Sequence, residues 1–238
     1  LGKGFANISR KGRTINVGAG RYIPSLVRYA VNNSLSGIEH LIGVPATLGG
    51  AVYMNAGSQR KSLSDNIASV KSMDEKGRII IRSNSQCNFS YRESIFQNLK
   101  EVVLEAQILL SDESVASMRK ACLEILKDRN KKFPRKAPSC GSVFVSNPKM
   151  YSTIGPPGNV IEQVGLKGFS RGGAEISSKH ANFIVNNGRA SSEDILYLIA
   201  TIVRKVYRET GFMLKTEAKF VDEQGGLIDA GKKALELY

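Results

Sequence analysis

The 238-residue chain contains no tryptophan, only two histidines (His40 and His180) and only three cysteines. The cysteines, Cys87, Cys122 and Cys140, are odd in number and widely spaced, and no CxxC pair occurs. A disulfide framework and a zinc site are therefore disfavoured, and we expect no metal. This cysteine usage suits a reducing compartment, so the sequence predicts a cytoplasmic protein.

Long uncharged apolar runs are also absent, as is a secretory signal at the start, so we expect no membrane span. Hydrophobic residues make up 42% of the chain and charged residues 23%, which is typical of a soluble globular protein with one or two domains. The chain begins with Leu1 rather than Met, on a glycine-rich stretch typical of a domain interior. We therefore expect further residues upstream.

Positive charge dominates, with 34 Lys and Arg against 21 Asp and Glu and a net charge of +13. This balance predicts attraction to nucleic acid, acidic membranes or phosphorylated small molecules. The densest basic cluster consists of Lys127, Arg129, Lys131, Lys132, Arg135 and Lys136. Only one aromatic residue, Phe133, lies among them, so side chains for stacking on bases are lacking. A solvated face between domains is favoured, and no nucleic-acid partner is expected.

Apolar periodicity predicts strands and helices mixed along the chain. "TINVGAG" (Thr14–Gly20) is typical of a strand followed by a turn, and the apolar residues after Ile23 recur at helical spacing. "IASVKSMDEKGRIIIRS" predicts two strands joined by a turn at Glu75–Gly77, and "EVVLEAQILL" predicts another strand.

Two longer helices are also predicted. One begins after Ser111 and places Cys122 on its core stripe, so that this cysteine is interpreted as a small hydrophobic residue. The other is capped by Ser191 with Asp194 three residues later and continues to Gly211. A break near Lys132 divides the chain into two α+β lobes, residues 1–132 and 133–238.

Two glycine-rich stretches could bind an anion. "GVPATLGGAVYMNAG" (Gly43–Gly57) fits neither the Rossmann nor the Walker pattern, but exposed N–H groups in such a loop can form a nest for phosphate. Glycine clusters more often mark simple turns, and that alternative stays open. The second stretch, "VGLKGFSRGGAEISSKHANFIVN", places Lys167 and Arg171 among four glycines, which again suits an anionic ligand.

Three further stretches carry polar side chains of uncertain role. In "PSCGSVF", Ser142 could be a turn residue, a nucleophile or a proton donor, and Cys140 competes for the same role. In "SYRESIFQ", which follows a probable strand "CNF", Arg92 offers a rigid fork of donors or simply a surface ion pair with Glu93 or a neighbour. In "LKTEAKF", Glu217 is predicted to lie in a strand, where a lone carboxylate usually faces solvent.

Taken in order, "GVPATLGGAVYMNAG", "YRESIF", "CGSVF", "GLKGFSRGGAEIS", "HANFIVN" and "KTEAKF" resemble the UDP-N-acetylenolpyruvoylglucosamine reductase family. The resemblance implies an α+β fold: a flavin-binding lobe of the vanillyl-alcohol-oxidase (PCMH) type, then a smaller α+β substrate-binding lobe. It implies FAD as cofactor, NADPH as reductant and a UDP-sugar as substrate. The implied reaction reduces UDP-N-acetylglucosamine enolpyruvate to UDP-N-acetylmuramate in peptidoglycan synthesis, and so serves cell wall biogenesis, cell shape and cell division.

The resemblance also implies roles for individual residues. Ser142 matches the proton donor that quenches an enolate, and Arg92 and Glu217 match residues that stabilise that enolate. Cys140 then becomes a neighbour rather than a nucleophile. The residues implied to bind the cofactor are Gly18, Gly20, Gly43, Pro45, Ala46, Thr47, Gly49, Gly50, Ala51, Asn55, Gly57 and Ile184. Those implied to bind the substrate are Tyr91, Asn147, Lys167, His180 and Lys219.

The chain departs from the family pattern at several points. A first glycine-rich phosphate loop, "GGGSN"-like in the family, is not found, so we expect either a fragment or a chain with half a flavin site. A catalytically silent uridine-nucleotide-binding remnant that cannot retain flavin is the alternative, and a polyanion-binding protein is a third reading. Smaller departures are "SQRKSLSD" after "MNAG", Val145 and Ser146 where a lysine is common, and Lys219 in place of arginine.

Overall fold

The structure is a computed structural model that describes residues 2–134, 136–146 and 148–238. Its contacts divide the chain into two units, Leu1–Arg129 and Asn130–Tyr238. The division lies three residues before the boundary that the sequence suggested. Each unit mixes helices with antiparallel strands, which agrees with the predicted α+β class.

The strands of the first unit, in chain order, are β1 (Ile8–Lys11), β2 (Thr14–Gly18), β3 (Leu35–Ser36), β4 (Gly57–Ser58), β5 (Lys61–Ser62), β6 (Ile67–Asp74), β7 (Ile79–Ser83), β8 (Glu101–Leu109) and β9 (Ser111–Asp112). Its helices are α1 (Ile23–Asn32), α2 (Leu48–Tyr53) and α3 (Val115–Lys132), the last of which continues past the division.

Five of these strands form one antiparallel sheet in the order β1-β2-β8-β6-β7. The predicted hairpin is confirmed, because β6 pairs antiparallel with β7. Gly77 in the connecting turn has a positive φ of 77°, which glycine adopts readily. Asp74 stabilises this turn, since its Oδ1 accepts the N–H groups of Lys76 and Arg78 at 2.9 Å each. The short pairs β3–β9 and β4–β5 lie outside the main sheet.

A single hydrophobic core joins the sheet to α1, α2 and α3. Helix α1 buries the residues at helical spacing that the sequence indicated, among them Leu26 and Val27. Helix α3 buries Cys122, which confirms it as a core residue. The predicted start of α3 directly after Ser111 was early, because β9 first pairs with β3.

In the second unit the helices are α4 (Pro148–Tyr151), α5 (Pro157–Gln163), α6 (Ser192–Thr210) and α7 (Ala230–Leu237). Its strands are β10 (Ser170–Arg171), β11 (Ala174–Ile176), β12 (Ile184–Asn186), β13 (Lys219–Val221) and β14 (Leu227–Asp229). Strands β10, β11 and β12 form one antiparallel sheet, and β13 pairs with β14.

Helix α6 is the centre of the second core, and its predicted ends are confirmed. Ser191 accepts the N–H of Asp194 at 3.1 Å, and the Asp194 carboxylate accepts the N–H of Ser191 at 3.0 Å. Gly211 ends the helix in the left-handed conformation at φ 70°.

Two local predictions were wrong. The "CNF" segment is not a strand, because Ser85–Cys87 form a 3₁₀ turn followed by Asn88 at φ 46°. Glu217 precedes β13 rather than lying within a strand. The basic run, for which the sequence predicted a solvated face, is helical as far as Lys132 because it continues α3. In the described part of the chain, no helix combines the length and apolarity that crossing a bilayer requires.

Candidate functional site

The first glycine-rich stretch folds as a turn and the short helix α2, which Thr47 caps. The N–H of Leu48 donates to the Arg21 carbonyl and that of Gly49 to the Ala19 carbonyl, both at 2.8 Å. Gly50 directs its N–H to the Thr47 hydroxyl at 3.5 Å. The prediction of a phosphate nest is therefore wrong for these N–H groups, because the protein itself occupies them.

Close approach explains several of the glycines, but the approaching group is protein. A Cβ on Gly18 would collide with the Phe5 carbonyl, and one on Gly57 with the Lys61 carbonyl. A Cβ on Gly43 would collide with the Arg129 side chain. Gly18 and Gly57 are thus needed for packing of the first unit, because the obstacle there is main chain, whereas the obstacle at Gly43 is a flexible side chain.

Other members of the predicted cofactor set are exposed. Pro45, Thr47 and Gly50 are solvent-accessible, and a Cβ on Gly50 would meet nothing nearer than the Thr47 hydroxyl at 3.7 Å. The carbonyl of Arg21 accepts the N–H of Leu48 in the same stretch, and the buried Nε of Arg21 has no hydrogen-bond partner among the described residues. Arg21 was not among the cofactor-binding residues predicted from the sequence. Its position directly after the "VGAG" turn was the signal that could have indicated it.

The remaining predicted cofactor residues lie at various depths. Gly20 is half-buried, Ala46 packs partly buried against the first core, and Ala51 is buried within it. Asn55 is 3% exposed. Ile184 is buried in the core of the second unit. All of them remain predictions as cofactor contacts.

Arg92 occupies a strained loop of the first unit. Its φ is +61°, a left-handed conformation that costs free energy for any residue with a side chain. Its Nη2 donates to the Gly57 carbonyl at 3.0 Å, and its guanidinium lies over the half-exposed Tyr91 ring at 5.2 Å. The alternative of an ion pair with Glu93 is wrong, because the Glu93 carboxylate accepts from the Ser90 hydroxyl instead, at 2.8 Å.

In the second unit, the main chain brings Ser142 and Glu217 close together. The residue after Ser142, Val143, accepts the N–H of Glu217 at 2.7 Å, and Phe144 pairs with Thr216. Two of the three predicted catalytic residues therefore lie on adjacent extended segments. Arg92 belongs to the other unit, and the prediction that all three share one cavity stays a prediction.

Asn182 holds the Ser142 segment in place. Its side chain accepts the Phe144 N–H and donates to the Phe144 carbonyl, both at 2.9 Å, and its own carbonyl accepts the Val143 N–H at 2.9 Å. Asn182 is 3% exposed. Sequence reasoning included it in "HANFIVN" without selecting it, since a buried structural amide has no distinctive sequence signal.

Cys140 is exposed but electrostatically unsuited to act as a nucleophile. Loss of solvent around its sulfur raises the pKa of the thiol, and the negative charge of Glu217 raises it further. A thiol with a raised pKa carries little thiolate at neutral pH. This favours Ser142 over Cys140 as the reactive residue.

The predicted substrate-binding side chains have protein partners. Lys167 pairs with Glu162 at 2.8 Å, and Lys219 lies 3.7 Å from Asp229. His180 stacks on Phe133 with ring centroids 5.3 Å apart. Asn147 lies outside the described residues.

His40 gives a prediction about acid stability. Its ring is 3% exposed, and neither ring nitrogen has a hydrogen-bond partner among the described residues. Burial lowers its pKa, as does the positive charge of Lys61, although Asp65 and Glu39 oppose the shift. The unfolded chain therefore takes up the proton first, so stability is full above about pH 6.5 and declines as the pH falls through the window below it.

We expect His40→Phe to flatten this decline, measured as the melting temperature by circular dichroism between pH 8 and pH 5. Burial also lowers the pKa of His180, so the variant should retain part of the slope, and a second substitution at His180 should remove more. An unchanged slope in His40→Phe would contradict the assignment.

Comparisons with known proteins agree with the two-part architecture. A family model described as an FAD binding domain matches residues 2–82. Another, described as the C-terminal domain of UDP-N-acetylenolpyruvoylglucosamine reductase, matches residues 133–221. Together they define the class: an FAD-dependent oxidoreductase with a separate C-terminal domain.

Individual relatives narrow the class to a family. The chain is 42% identical to UDP-N-acetylenolpyruvoylglucosamine reductase 1 of Corynebacterium glutamicum over its whole length, which is 71% of that protein. It is 36% identical to the reductase of Heliobacterium modesticaldum, over 97% of the chain and 72% of that protein. The crystal structure of the Thermus caldophilus reductase matches 91% of the chain and 75% of its own, with a TM-score of 0.75 and 33% identity. The chain belongs to the UDP-N-acetylenolpyruvoylglucosamine reductase family.

Proposed function

We propose that the protein reduces UDP-N-acetylglucosamine enolpyruvate to UDP-N-acetylmuramate in peptidoglycan synthesis, using FAD and, as reductant, NADPH in the cytoplasm. The main support is that, in a chain of this family, the segment with Ser142 is hydrogen-bonded to the segment with Glu217. A proton donor and a carboxylate on adjacent segments suit a reaction that ends in protonation of an enolate. The catalytically silent remnant is not favoured, because the predicted catalytic side chains are all present.

The first unit offers a surface that fits FAD. Small or flat residues are exposed at Pro45, Thr47 and Gly50. Arg21, whose carbonyl bonds Leu48 of the same stretch, has an unpartnered Nε, a donor that a phosphate or ring oxygen would satisfy. These residues would hold the cofactor, together with Gly20. When bound, the flavin supplies hydride transfer to the enolpyruvyl double bond.

Residues of the chain stabilise the negative charge of the enolate and supply the proton that ends the reaction. Ser142 donates the proton from Oγ to the carbon next to the substrate carboxylate, and this carbon is basic enough for an ordinary hydroxyl to act as its acid. Arg92 opposes the negative charge that develops on the enolate. Glu217 orients the donor or accepts a hydrogen bond near it.

Purified protein should be yellow, and it should oxidise NADPH over repeated turnovers only when the enolpyruvyl substrate is present, since NADPH alone can reduce the bound flavin just once. The measurement is the flavin absorbance spectrum followed by NADPH consumption and product analysis by mass spectrometry. A colourless protein that still binds the UDP-sugar would support the remnant. Salt-sensitive nucleic-acid binding without flavin would support the polyanion-binding alternative.

Lys167→Ala is expected to raise KM for the UDP-sugar by about tenfold with kcat retained, because the lysine acts as a point charge for a phosphate that is equally bound before and during reaction. Glu162→Gln is the matched control, since it removes the ion pair at 2.8 Å but keeps the ammonium group. This control should lower KM or leave it unchanged. A tenfold loss of kcat in Lys167→Ala would argue against a binding role.

A further inference from the structure

We propose that Asn55 is a positioning residue that sets the conformation of Arg92, rather than a cofactor ligand. The inference rests on the role proposed above for Arg92. Its basis is a set of hydrogen bonds, all within the first unit, that joins the end of α2 to the loop around Arg92.

The Asn55 side chain is buried and uses both ends of its amide. Its Nδ2 donates to the Ser90 carbonyl at 2.8 Å, two residues before Arg92, and its Oδ1 accepts the Ser64 N–H at 3.1 Å. Only 3% of the residue is exposed, and its φ is +41°. Asparagine tolerates this left-handed conformation better than most residues, and the amide supplies one donor and one acceptor for the two partners.

The same segment supplies the acceptor for the Arg92 side chain. Gly57, two residues after Asn55, offers its carbonyl to Arg92 Nη2 at 3.0 Å. Asn55 therefore controls the approach of the main chain to Arg92, and it also lies next to the group that holds the guanidinium. A shift at Asn55 would therefore move both the main chain near Arg92 and the carbonyl that holds the Arg92 guanidinium.

A second set of bonds completes the link. The Ser94 hydroxyl donates to the Tyr53 carbonyl at 2.7 Å, and Gln97 Nε2 lies 2.9 Å from both the Tyr53 and the Arg92 carbonyls. A residue at positive φ keeps that conformation only where its surroundings fix it from several sides. Asn55 bonds the loop before Arg92, at the Ser90 carbonyl. Gln97 bonds the carbonyl of Arg92 itself, and Ser94 bonds the Tyr53 carbonyl from two residues after Arg92.

Two substitutions separate the functions of the amide. Asn55→Asp keeps tolerance of the left-handed conformation and an acceptor for Ser64, but loses the donor to Ser90. Asn55→Gly keeps the backbone conformation and loses both bonds. Asn84→Ala is the matched control, because Asn84 also uses its amide to bond main-chain carbonyls, those of Ser64 and Ile67. It therefore perturbs the Ser64 side of Asn55 and leaves the bond from Asn55 to Ser90 in place.

The first readout does not depend on catalysis. In protein labelled with ¹⁵N-arginine, the Arg92 amide resonance is assigned by its absence in Arg92→Lys. Asn55→Asp and Asn55→Gly should shift this resonance, and Asn84→Ala should leave it in place. An unmoved Arg92 resonance in both Asn55 variants would overturn the proposal, whatever the reaction of the enzyme proves to be.

The second readout is a double-mutant cycle on turnover. Asn55→Asp should lower kcat about 10- to 100-fold with KM for NADPH little changed, because misplacement of a catalytic group by about 1 Å costs on that order. Added to Arg92→Ala, the same substitution should cost less than about threefold, since its effect passes through the arginine. Full multiplication of the two effects would overturn the positioning role. A wild-type rate in Arg92→Ala alone would instead refute the proposed role of Arg92, while the resonance shift still tests the link.

Discussion

Ser142→Ala is expected to slow reduction of the enolpyruvyl substrate by about 10²- to 10⁴-fold, the range for loss of a general acid. Reduction of the bound flavin by NADPH should continue at the wild-type rate, because that step needs no proton from this side chain. Stopped-flow absorbance separates the two steps: flavin reduction by NADPH alone, then reoxidation when the substrate is added.

The local structure makes this substitution a clean test. Gly141 turns the chain at φ +88°, and Val143, which is 1% exposed, is held by the Asn182 carbonyl and by the N–H of Glu217. Ser142 is only partly buried between these fixed neighbours, so loss of its hydroxyl should leave the fold unchanged. The expected effect is therefore chemical rather than structural.

Cys140→Ala is the matched control, two residues away in the same segment. Its raised thiol pKa predicts that turnover changes by less than about twofold. An inactive Cys140→Ala enzyme, or a Ser142→Ala enzyme in which substrate reoxidises the flavin at the wild-type rate, would favour Cys140 over Ser142 as the reactive residue.

Much of the fold was predictable because local signals agree with the tertiary structure. The β6–β7 hairpin has its turn glycine, and α6 has its capping box, apolar stripe and terminal glycine. The short helix α7 was missed because eight residues carry little periodicity, although its cap is local: the Asp229 carboxylate accepts the N–H of Lys232 at 2.9 Å. The bond that the same carboxylate accepts from the Thr216 hydroxyl depends on the fold, and local patterns cannot indicate it.

The candidate site, too, could be predicted only where the signal is local in the sequence. Reactive residue types such as Ser142, Arg92 and Glu217 could be selected from short motifs and their order along the chain. The supporting role of other residues could not be predicted, because Asn55, which was selected only as a cofactor contact, and Asn182 act through bonds to segments about 35 to 38 positions away. The phosphate nest failed for the opposite reason: the sequence shows which N–H groups a turn exposes, but not that Ala19 and Arg21 occupy them.

Asn182→Ala is expected to destabilise the second unit by about 2–6 kcal/mol. The substitution leaves the N–H and carbonyl of Phe144 without partners, and that residue is 0% exposed. A buried polar group that loses its partner costs about 1–3 kcal/mol, and here two groups lose one. Asn187→Ala should cost less than about 0.5 kcal/mol, because Asn187 is exposed and its side chain bonds only Glu175 among the described residues.

Because the two units need not unfold together, the better measurement is local: hydrogen exchange by mass spectrometry on peptides covering residues 136–146. Exchange of the Phe144 amide should accelerate strongly in Asn182→Ala and remain unchanged in Asn187→Ala. Turnover should fall as well, since the segment that loses its support carries Ser142. Protected Phe144 exchange with lost turnover would mean that Asn182 acts on the reaction directly. Rapid exchange with full turnover would mean that the position of Ser142 does not depend on the hydrogen bonds between Asn182 and Phe144.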